Sequence, residues 1–226
     1  MNDQSKNIVI IGAGETADIA YEYFTYDSDR RIVAFAVERA FRKEEQRHGL
    51  PVVDLELLTV KFPPETHDAF VAVSYVQLNR LRERLFKQVK DLGYHCATYI
   101  SSRAFVWRTA SIGENCMIFE NNVLQHGVRI EDNVILWSGN HVGHQSVICQ
   151  SAYVASHAVI SGFCEIGPRC FVGVNATLAD NIKVAEDCLI AAGAVVNRST
   201  DAAGIYQGNP ATRREGITAL RYFKIK

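Results

Sequence analysis

Residues 128–149 read VRIEDNVILWSGNHVGHQSVIC, and an aliphatic residue recurs in them at every sixth position. A period of six fits neither an α-helix, with about 3.6 residues per turn, nor a single strand, which alternates every two residues. It is typical of a β-helix built from hexapeptide repeats. The aliphatic column continues in both directions over seventeen positions: Ile100, Val106, Ile112, Ile118, Leu124, Ile130, Leu136, Val142, Ile148, Val154, Ile160, Ile166, Val172, Leu178, Val184, Ile190 and Val196.

A second column lies two residues before each aliphatic position. From Thr98 to Ala194 it holds Ala, Cys, Ser, Thr or Asn, except at Val128, Val134 and Ile182. One large and one small inward side chain per hexad predicts a triangular coil of three hexads. Residues 18 apart should then stack about 4.8 Å apart, the spacing of neighbouring strands.

This 18-residue period makes specific predictions about polar side chains. His126 and His144 should lie one above the other at a turn, where side chains point outward. Asn122 and Asn140 occupy the small column and should stack inside the coil.

The composition restricts the class of protein. With 226 residues, 48% of them hydrophobic and 22% charged, the chain has the composition of a globular protein of one large or two small domains. A net charge of −1 without a basic block argues against nucleic acid or an anionic membrane as partner. No apolar run of membrane-spanning length occurs, and Met1–Lys6 does not resemble a signal peptide, so we expect a cytoplasmic protein.

The six cysteines fit that compartment. No Cys-x-x-Cys motif occurs, and the spacings suggest neither a zinc cluster nor a disulfide framework. We expect reduced thiols that act as small apolar fillers. Four of them fall in the small inward column: Cys116, Cys164, Cys170 and Cys188.

A different pattern precedes the repeat. The apolar run Lys6–Ile11 predicts a strand, Gly12–Ala17 matches G-x-G-x-x-(G/A), and a helical pattern follows. Such glycines let the backbone approach a phosphate at a helix N-terminus, although a tight turn alone also needs small residues. A second strand, Arg31–Val37, ends at Glu38, where such domains have an acidic residue for a ribose hydroxyl.

The rest of the N-terminal region supplies one more strand, Asp68–Ser74, and an amphipathic helix, Gln77–Leu92. Residues 1–97 hold only half of a dinucleotide-binding domain, which favours a mononucleotide-type ligand over NAD. We therefore predict an α/β half-Rossmann domain over 1–97 and a β-helix domain over 98–226. The basic residues here are expected to form a solvated face: Arg80, Arg82, Arg84, Lys87, Lys90 and Arg103.

The hexads stop after Val196. Gly208–Ala211 predicts a tight turn, and a short basic helix over Arg213–Phe223 should cap the open end of the coil. A cap is needed because exposed strand edges promote aggregation.

Histidines concentrate around residues 137–146, and three interpretations are open. One histidine can be a general base, since its ordinary pKa near 6.5 suits proton transfer at neutral pH. Several imidazoles together can bind a metal. All can also be polar surface residues at turns. The histidines concerned are His126, His141, His144 and His157.

The hexads, the preceding Gly12-Ala13-Gly14 half-domain and the closing Gly208-Asn209-Pro210-Ala211 together resemble the bacterial nucleotide-sugar acyltransferases, the PglD-like N-acetyltransferases and NeuD-like sialic acid O-acetyltransferases. The resemblance covers nearly the whole chain. It implies a homotrimer of left-handed β-helices. It also implies that acetyl-CoA binds between neighbouring subunits and that the nucleotide sugar binds partly on the N-terminal domain.

The resemblance assigns roles to residues of the coil. The general base in HVGHQSVIC falls on His144, and Gln145 stands where the PglD-like pattern has a glutamate. A carboxylate there would raise the basicity of the imidazole, whereas an amide can only orient it. His126, His141 and Asn140 are expected to support the base or touch the sugar. The acetyl-CoA contacts fall on Tyr153, which replaces a histidine of that pattern, and on Val174, Ala192 and Gly193.

In the N-terminal domain the implied sugar-nucleotide contacts differ from the PglD-like pattern, which has Ser-Gly-His and an Asp-Asp pair. We therefore expect a different nucleotide or sugar. The contacts are Gly14, Glu15, Thr16, Glu38 and Ser74.

The function expected from the resemblance is acetyl-CoA-dependent N-acetylation of a nucleotide-linked amino sugar, without a metal. Gln145 favours an amine over a hydroxyl because the better nucleophile depends less on the base. The alternatives are a sugar O-acetyltransferase, a zinc hydratase of the carbonic-anhydrase kind, and a non-catalytic sugar-nucleotide-binding module.

Overall fold

The structure is a computed structural model that describes residues 7–225. Lys6, at the start of the first predicted strand, and the rest of Met1–Lys6 lie outside the described residues. The chain forms two compact units. The first contains residues up to Ser74 together with Arg84–Tyr99, and the second contains Tyr75–Glu83 together with residues from Ile100 onward.

The first unit is an α/β fold around one sheet. Strands β1 (Asn7–Ile11), β2 (Ile32–Val37), β3 (Gln46–Arg47), β4 (Leu50–Asp54) and β5 (His67–Val71) lie in the order β3-β4-β2-β1-β5. Four of them are parallel, and β3 pairs antiparallel with β4. The carboxyl ends of β1, β2 and β5 therefore share one edge. Its helices are α1 (Glu15–Tyr26), α2 (Leu58–Lys61) and the part of α3 (Arg80–Asp91) from Arg84 onward, with 3₁₀ turns at Arg39–Phe41 and Leu55–Leu57.

The second unit is the predicted β-helix. The chain enters it through Tyr99–Ile100, and two-residue strands then form three parallel sheets, which we call faces I, II and III. Face I holds Met117–Ile118, Ile135–Leu136, Tyr153–Val154, Phe171–Val172, Leu189–Ile190 and Ile205–Gln207. Face II holds Phe105–Val106, Val123–Leu124, His141–Val142, Val159–Ile160, Thr177–Leu178 and Val195–Val196. Face III holds Ser111–Ile112, Arg129–Ile130, Val147–Ile148, Glu165–Ile166 and Lys183–Val184.

The register confirms the period of 18. Val123 pairs with His141 and Leu124 with Val142, and the same offset recurs in all three faces. The aliphatic and small columns fill the interior, where Leu136 and Cys170 are fully buried. The predicted fold class, an α/β unit, a hexapeptide β-helix and a short C-terminal helix, is confirmed.

The cysteines are thiols, as predicted. All six are free, and the four in the small column are buried. Burial raises the pKa of the Cys116 thiol to about 12.

Residues Tyr75–Glu83, which we call the strap, cover part of the outward side of face I. Leu78 packs with Leu189 and Ile205, and the ring of Tyr75 lies 4.9 Å from that of Phe171. The amide of Asn79 donates to the Arg169 carbonyl at 3.0 Å. The outward side of face I is therefore not free.

The strap corrects two predictions. Helix α3 is Arg80–Asp91 and does not begin at Gln77, because Gln77, Leu78 and Asn79 have φ of 54°, 50° and 65°. The expected solvated basic face is wrong for Arg82, which is fully buried and donates Nη2–H to the Ser151 carbonyl at 2.9 Å. Burial lowers the pKa of its guanidinium to about 10.

The C-terminal segment also differs from the prediction. Ile205–Gln207 and Thr212–Arg213 pair antiparallel around the predicted turn, so helix α4 begins only at Ala219 and ends at Tyr222. The ring of Tyr206 joins the interior core and its hydroxyl accepts the Asp201 N–H at 2.7 Å. Tyr206 thus closes the coil, whereas Ala219 of α4 packs with Leu189 of face I. Within residues 7–225 no helix has the length and apolar character needed to cross a bilayer.

Candidate active site

Three edges separate the faces of the coil. Edge I/II follows the face I strands and includes residues 137–140, 155–158, 173–176 and 191–194. Edge II/III follows the face II strands and includes residues 125–128, 143–146 and 161–164. Side chains at the turns of these edges reach solvent, so the exposed polar side chains that could contact a ligand lie there.

His144 lies on edge II/III with its imidazole exposed. The ring lies over Gly162, one coil further along, where a Cβ would come within 2.6 Å of Cε1 and 2.9 Å of Nε2. Any other residue at 162 would push the ring away. The ring of Phe163 meets it edge-to-face at 5.0 Å.

The backbone of this turn is also fixed. His144 N–H donates to Gln125 Oε1 at 3.0 Å, and Gly162 N–H donates to Asp180 Oδ1 at 2.8 Å. Across residues 7–225 neither ring nitrogen of His144 has a hydrogen-bond partner. Both are therefore available to a substrate.

The side chain of Gln145 extends toward the preceding coil, opposite to the direction of the His144 ring. Its side-chain amide lies against Gly127, one coil earlier, where a Cβ would come within 2.7 Å of Nε2. Over the described part of the chain no hydrogen bond joins this amide to the imidazole of His144. The predicted orienting contact therefore does not form in this structure.

The other predicted coil residues lie in different surroundings. His126 is exposed one coil before His144, and its Nδ1 lies 2.7 Å from Thr109 Oγ1. His141 points outward from face II and is half-buried. Asn140 lies inside the coil, where its Oδ1 accepts the Ala158 N–H at 2.7 Å. Its side chain does not reach the surface.

The predicted coenzyme residues divide between two places. Val174, Ala192 and Gly193 are exposed on edge I/II. Tyr153 is on face I, only 6% exposed, and its ring stacks on Phe171 at 5.2 Å. In a single chain, face II therefore separates the three exposed residues from His144.

The predicted sugar-nucleotide residues share the carboxyl edge of the first unit's sheet. Gly14 precedes α1, which starts with Glu15 and Thr16, and nothing lies within 4 Å of a Cβ built on Gly14. Glu38 follows β2, and Ser74 comes three residues after β5. Gly12 allows this close arrangement, because a Cβ there would lie 2.7 Å from the Ala72 carbonyl oxygen.

Sequence reasoning missed the partner of Glu38. Arg84 of α3 donates from Nη1 to Oε1 and from Nη2 to Oε2 of Glu38, each at 2.9 Å. This bidentate pair holds the pKa of Glu38 below its usual range. Helical periodicity placed Arg84 on a solvated face and could not indicate a carboxylate 46 residues away.

The described residues 7–225 contain no cluster of three or more His, Cys, Asp or Glu arranged to hold a metal ion. The roles predicted for individual site residues remain predictions.

The repeat matches a known family model. Residues 109–144 and 163–198 match "Bacterial transferase hexapeptide (six repeats)". This agrees with the sequence pattern and with the three faces of the coil.

Two solved structures share the architecture over nearly the whole chain. A variant of perosamine N-acetyltransferase from Caulobacter crescentus, in complex with CoA and GDP-perosamine, superposes with a TM-score of 0.83 at 24% identity, covering 93% of this chain and 97% of that one. The acetyltransferase domain of PglB from Neisseria gonorrhoeae, in complex with acetyl coenzyme A, gives a TM-score of 0.81 at 25% identity, covering 92% and 99%.

Curated relatives match over shorter stretches. An acyl-[acyl-carrier-protein]–UDP-N-acetylglucosamine O-acyltransferase from Campylobacter concisus is 24% identical over 50% of this chain and 43% of its own length. The mitochondrial gamma carbonic anhydrase 1 of Arabidopsis thaliana is 29% identical over 59% of this chain and 56% of its own. The chain thus spans about half the length of these relatives.

Proposed function

Because this chain is built of bacterial transferase hexapeptides on the fold of sugar N-acetyltransferases and resembles the nucleotide-sugar acyltransferases, we propose that it N-acetylates a nucleotide-linked amino sugar with acetyl-CoA. One observation carries the proposal. The imidazole of His144 is exposed and held over Gly162, and no hydrogen bond in the described residues occupies its ring nitrogens. The solved relatives that bind CoA, acetyl-CoA or GDP-perosamine support the choice of substrates.

We further propose that the active unit is a homotrimer assembled through face II. Face I is covered by the strap and the C-terminal segment, and face III presents charged residues such as Arg129, Glu165 and Lys183. Face II instead presents Phe105, 53% exposed, and Val159, 42% exposed. Uncovered apolar side chains favour burial against a partner surface.

Three-fold symmetry around face II would complete the site. Edges I/II and II/III flank face II on its two sides. In a closed ring, edge II/III of one subunit therefore meets edge I/II of the next. His144 of one chain then faces the coenzyme residues Val174, Ala192 and Gly193 of its neighbour.

Edge I/II offers hydrogen-bond donors to the coenzyme. In the described chain the backbone N–H groups of Val174 and Ala192 have no hydrogen-bond acceptor. The N–H groups of His144 and Gly162, at the same hexad position, bond to side chains that lie on the outside of the coil. We assign those of Val174 and Ala192 to the pantetheine amides or the thioester oxygen.

The reaction is a direct transfer. The sugar amine attacks the thioester carbon while His144 accepts a proton from the nitrogen. The tetrahedral intermediate expels the CoA sulfur, and His144 returns the proton to it. General acid–base help of this kind contributes about 10²–10⁴ in rate, and orientation of the two substrates provides much of the remainder.

A cysteine nucleophile has no support from the site. The only cysteine that is not fully covered, Cys149, lies on the edge between faces III and I, and burial raises its thiol pKa to about 11. At neutral pH it is therefore protonated and a weak nucleophile. The free thiols also favour the cytoplasm as the place of the reaction.

The test is a CoA-release assay with acetyl-CoA and matched pairs of amino-sugar and hydroxy-sugar nucleotides, with products identified by mass. A thermal-shift panel of UDP, GDP and dTDP first selects the nucleotide, since a ligand that binds the native state raises the melting temperature. An acetamido product supports the proposal. An ester product would instead indicate an O-acetyltransferase, and stoichiometric zinc with CO₂ hydration would indicate a hydratase.

A further inference from the structure

We propose that His157, to which no role has been assigned, is a second imidazole of this active site and is contributed by the neighbouring subunit to the thioester end of acetyl-CoA. This inference rests on the proposed function. It adds to that function a second histidine, from the neighbouring subunit, near the thioester carbon.

His157 lies on the coenzyme edge. It occupies the same hexad column as Gly193, two coils earlier, and its side chain is exposed. Its ring lies over Gly139, where a Cβ would come within 2.5 Å of Cε1. Within residues 7–225 its ring nitrogens have no hydrogen-bond partner, whereas its backbone N–H donates to the Ser138 carbonyl at 3.0 Å.

The backbones of His144 and His157 lie within one coil of each other in height. His157 follows His144 by 157 − 144 = 13 positions, less than the 18 of a full coil. The ring of His144 leans forward over Gly162, and that of His157 leans back over Gly139. With 18 residues and about 4.8 Å per coil, the two backbones differ in height by about 3.5 Å. The rings lean past each other, because the glycines beneath them are 23 positions apart, about 6 Å along the coil.

In one chain these rings lie on different edges, separated by face II. The three-fold arrangement proposed above brings edge II/III of one subunit against edge I/II of the next at equal height. It therefore brings His144 and the neighbour's copy of residue 157 to the same cleft.

The other histidines of the coil fit this place less well. Nδ1 of His126 is bonded to Thr109 on the edge that already carries His144. His141 is half-buried on face II itself. Only His157 combines an exposed, unbonded ring with the coenzyme edge.

Its chemistry follows from that position. A neutral imidazole donates its N–H to the thioester oxygen, and this hydrogen bond strengthens as the carbonyl gains negative charge. His157 transfers no proton. His144 alone takes the proton from the amine and passes it to sulfur.

The substitution His157→Gly removes the imidazole and suits the backbone, because residue 157 has φ of 62°, a conformation glycine adopts freely. We expect kcat to fall by about 10²–10³-fold, the loss typical of removing one oxyanion donor, with little change in the KM for the sugar nucleotide. His157→Asn keeps an N–H donor and the backbone conformation, and should recover part of kcat. Asn175→Gly, one coil further in the same column, is the control and should keep normal turnover.

Mixed trimers test the subunit assignment. His144→Ala and His157→Gly chains, each nearly inactive alone, are co-expressed with different tags and the doubly tagged trimers isolated. If the two residues come from different subunits, every doubly tagged trimer, whether 2:1 or 1:2, regains one of its three sites. A mixture as inactive as its parents overturns the shared site, and normal turnover of His157→Gly overturns the role of His157. If the wild type acetylates no sugar nucleotide, the proposed function itself fails.

Discussion

The imidazole of His144 lies over Gly162, the residue one coil further along the same edge. A Cβ at 162 would come within 2.6 Å of the ring. The His144 ring, which we assign as the base, can occupy this position only because Gly162 has no side chain. This relationship can be tested without altering His144.

Gly162→Ala should displace the imidazole and lower kcat by at least tenfold, and by no more than the roughly 10²–10⁴ that a general base contributes. The KM values and the melting temperature should change little. Steady-state kinetics and thermal unfolding measure both effects.

Gly127→Ala is the matched control. Its Cβ would meet the amide of Gln145 rather than the imidazole, and Gly127 has φ of 69°, so the variant should lose stability and keep turnover. Equal loss of activity in both variants would show that the clash with His144 is not the cause.

Gln145→Ala should change kcat by less than about threefold, because no hydrogen bond in the described residues links its amide to His144, and general-base catalysis then depends on the imidazole alone. The pH profile of kcat/KM should also keep its position. A shift of that profile, or a tenfold loss, would show that Gln145 orients the base during the reaction.

The pair of Glu38 and Arg84 predicts a pH dependence of nucleotide binding. Arg84 lowers the pKa of Glu38, so the carboxylate stays charged as the pH falls below its ordinary value of 4.5. Arg84→Met should let that pKa rise, so that binding is lost at a higher pH than in the wild type. Glu38→Gln should weaken binding at pH 7 by about tenfold, because a neutral amide oxygen is a weaker hydrogen-bond acceptor than a carboxylate.

Isothermal titration with the preferred nucleotide at several pH values measures the nucleotide affinity of the wild type and of both variants. Lys87→Met, one turn along the same helix, is the control for lost positive charge. Identical pH curves for Arg84→Met and the wild type would remove Glu38 from the nucleotide site.

The carboxylate of Asp187 joins the strap to the coil through ion pairs with two arginines. Asp187 accepts from Arg169 at 2.8 Å and lies 2.9 Å from Arg80. Burial alone would raise the pKa of Asp187, but the hydrogen bonds from Arg169 and Arg80 outweigh it and lower the pKa. Asp187 therefore stabilises the fold above its ordinary pKa of 3.8, and this contribution is lost as pH falls through the lower folded pKa.

Asp187→Asn keeps the side-chain shape and suits the φ of 60° at this position. At pH 7 it should lower the free energy of unfolding by about 1–3 kcal/mol, and the difference should shrink below pH 4. Urea unfolding at both pH values measures it. Asp201→Asn removes an exposed contact with Arg213 and should cost less than about 0.5 kcal/mol.

The repeat made the coil predictable because each hexad obeys the same rule. The positions of Leu136 and Cys170 followed from spacing alone, and the register of His126 below His144 followed from the period of 18. What spacing cannot show is which way an exposed side chain leans. Gly162 could have been found, since a glycine interrupts the column one coil after His144.

The strap was not predictable from helical periodicity. The pattern from Gln77 onward reads as one amphipathic helix, which places Arg82 among the solvated residues. Three successive residues with positive φ, Gln77 to Asn79, delay the helix and let Arg82 bond to the Ser151 carbonyl. No local preference of Gln or Leu signals such a turn, because both seldom adopt positive φ.

The most direct measurement is turnover by His144→Ala beside the wild type, with acetyl-CoA and the preferred amino-sugar nucleotide, on trimers verified by light scattering. His95→Ala, which removes an exposed imidazole outside the coil, is the matched control. We predict that His144→Ala loses at least 99% of the CoA release, in line with the roughly 10²–10⁴ of a general base, while His95→Ala keeps most of it. A folded His144→Ala trimer that turns over at the wild-type rate would contradict the account.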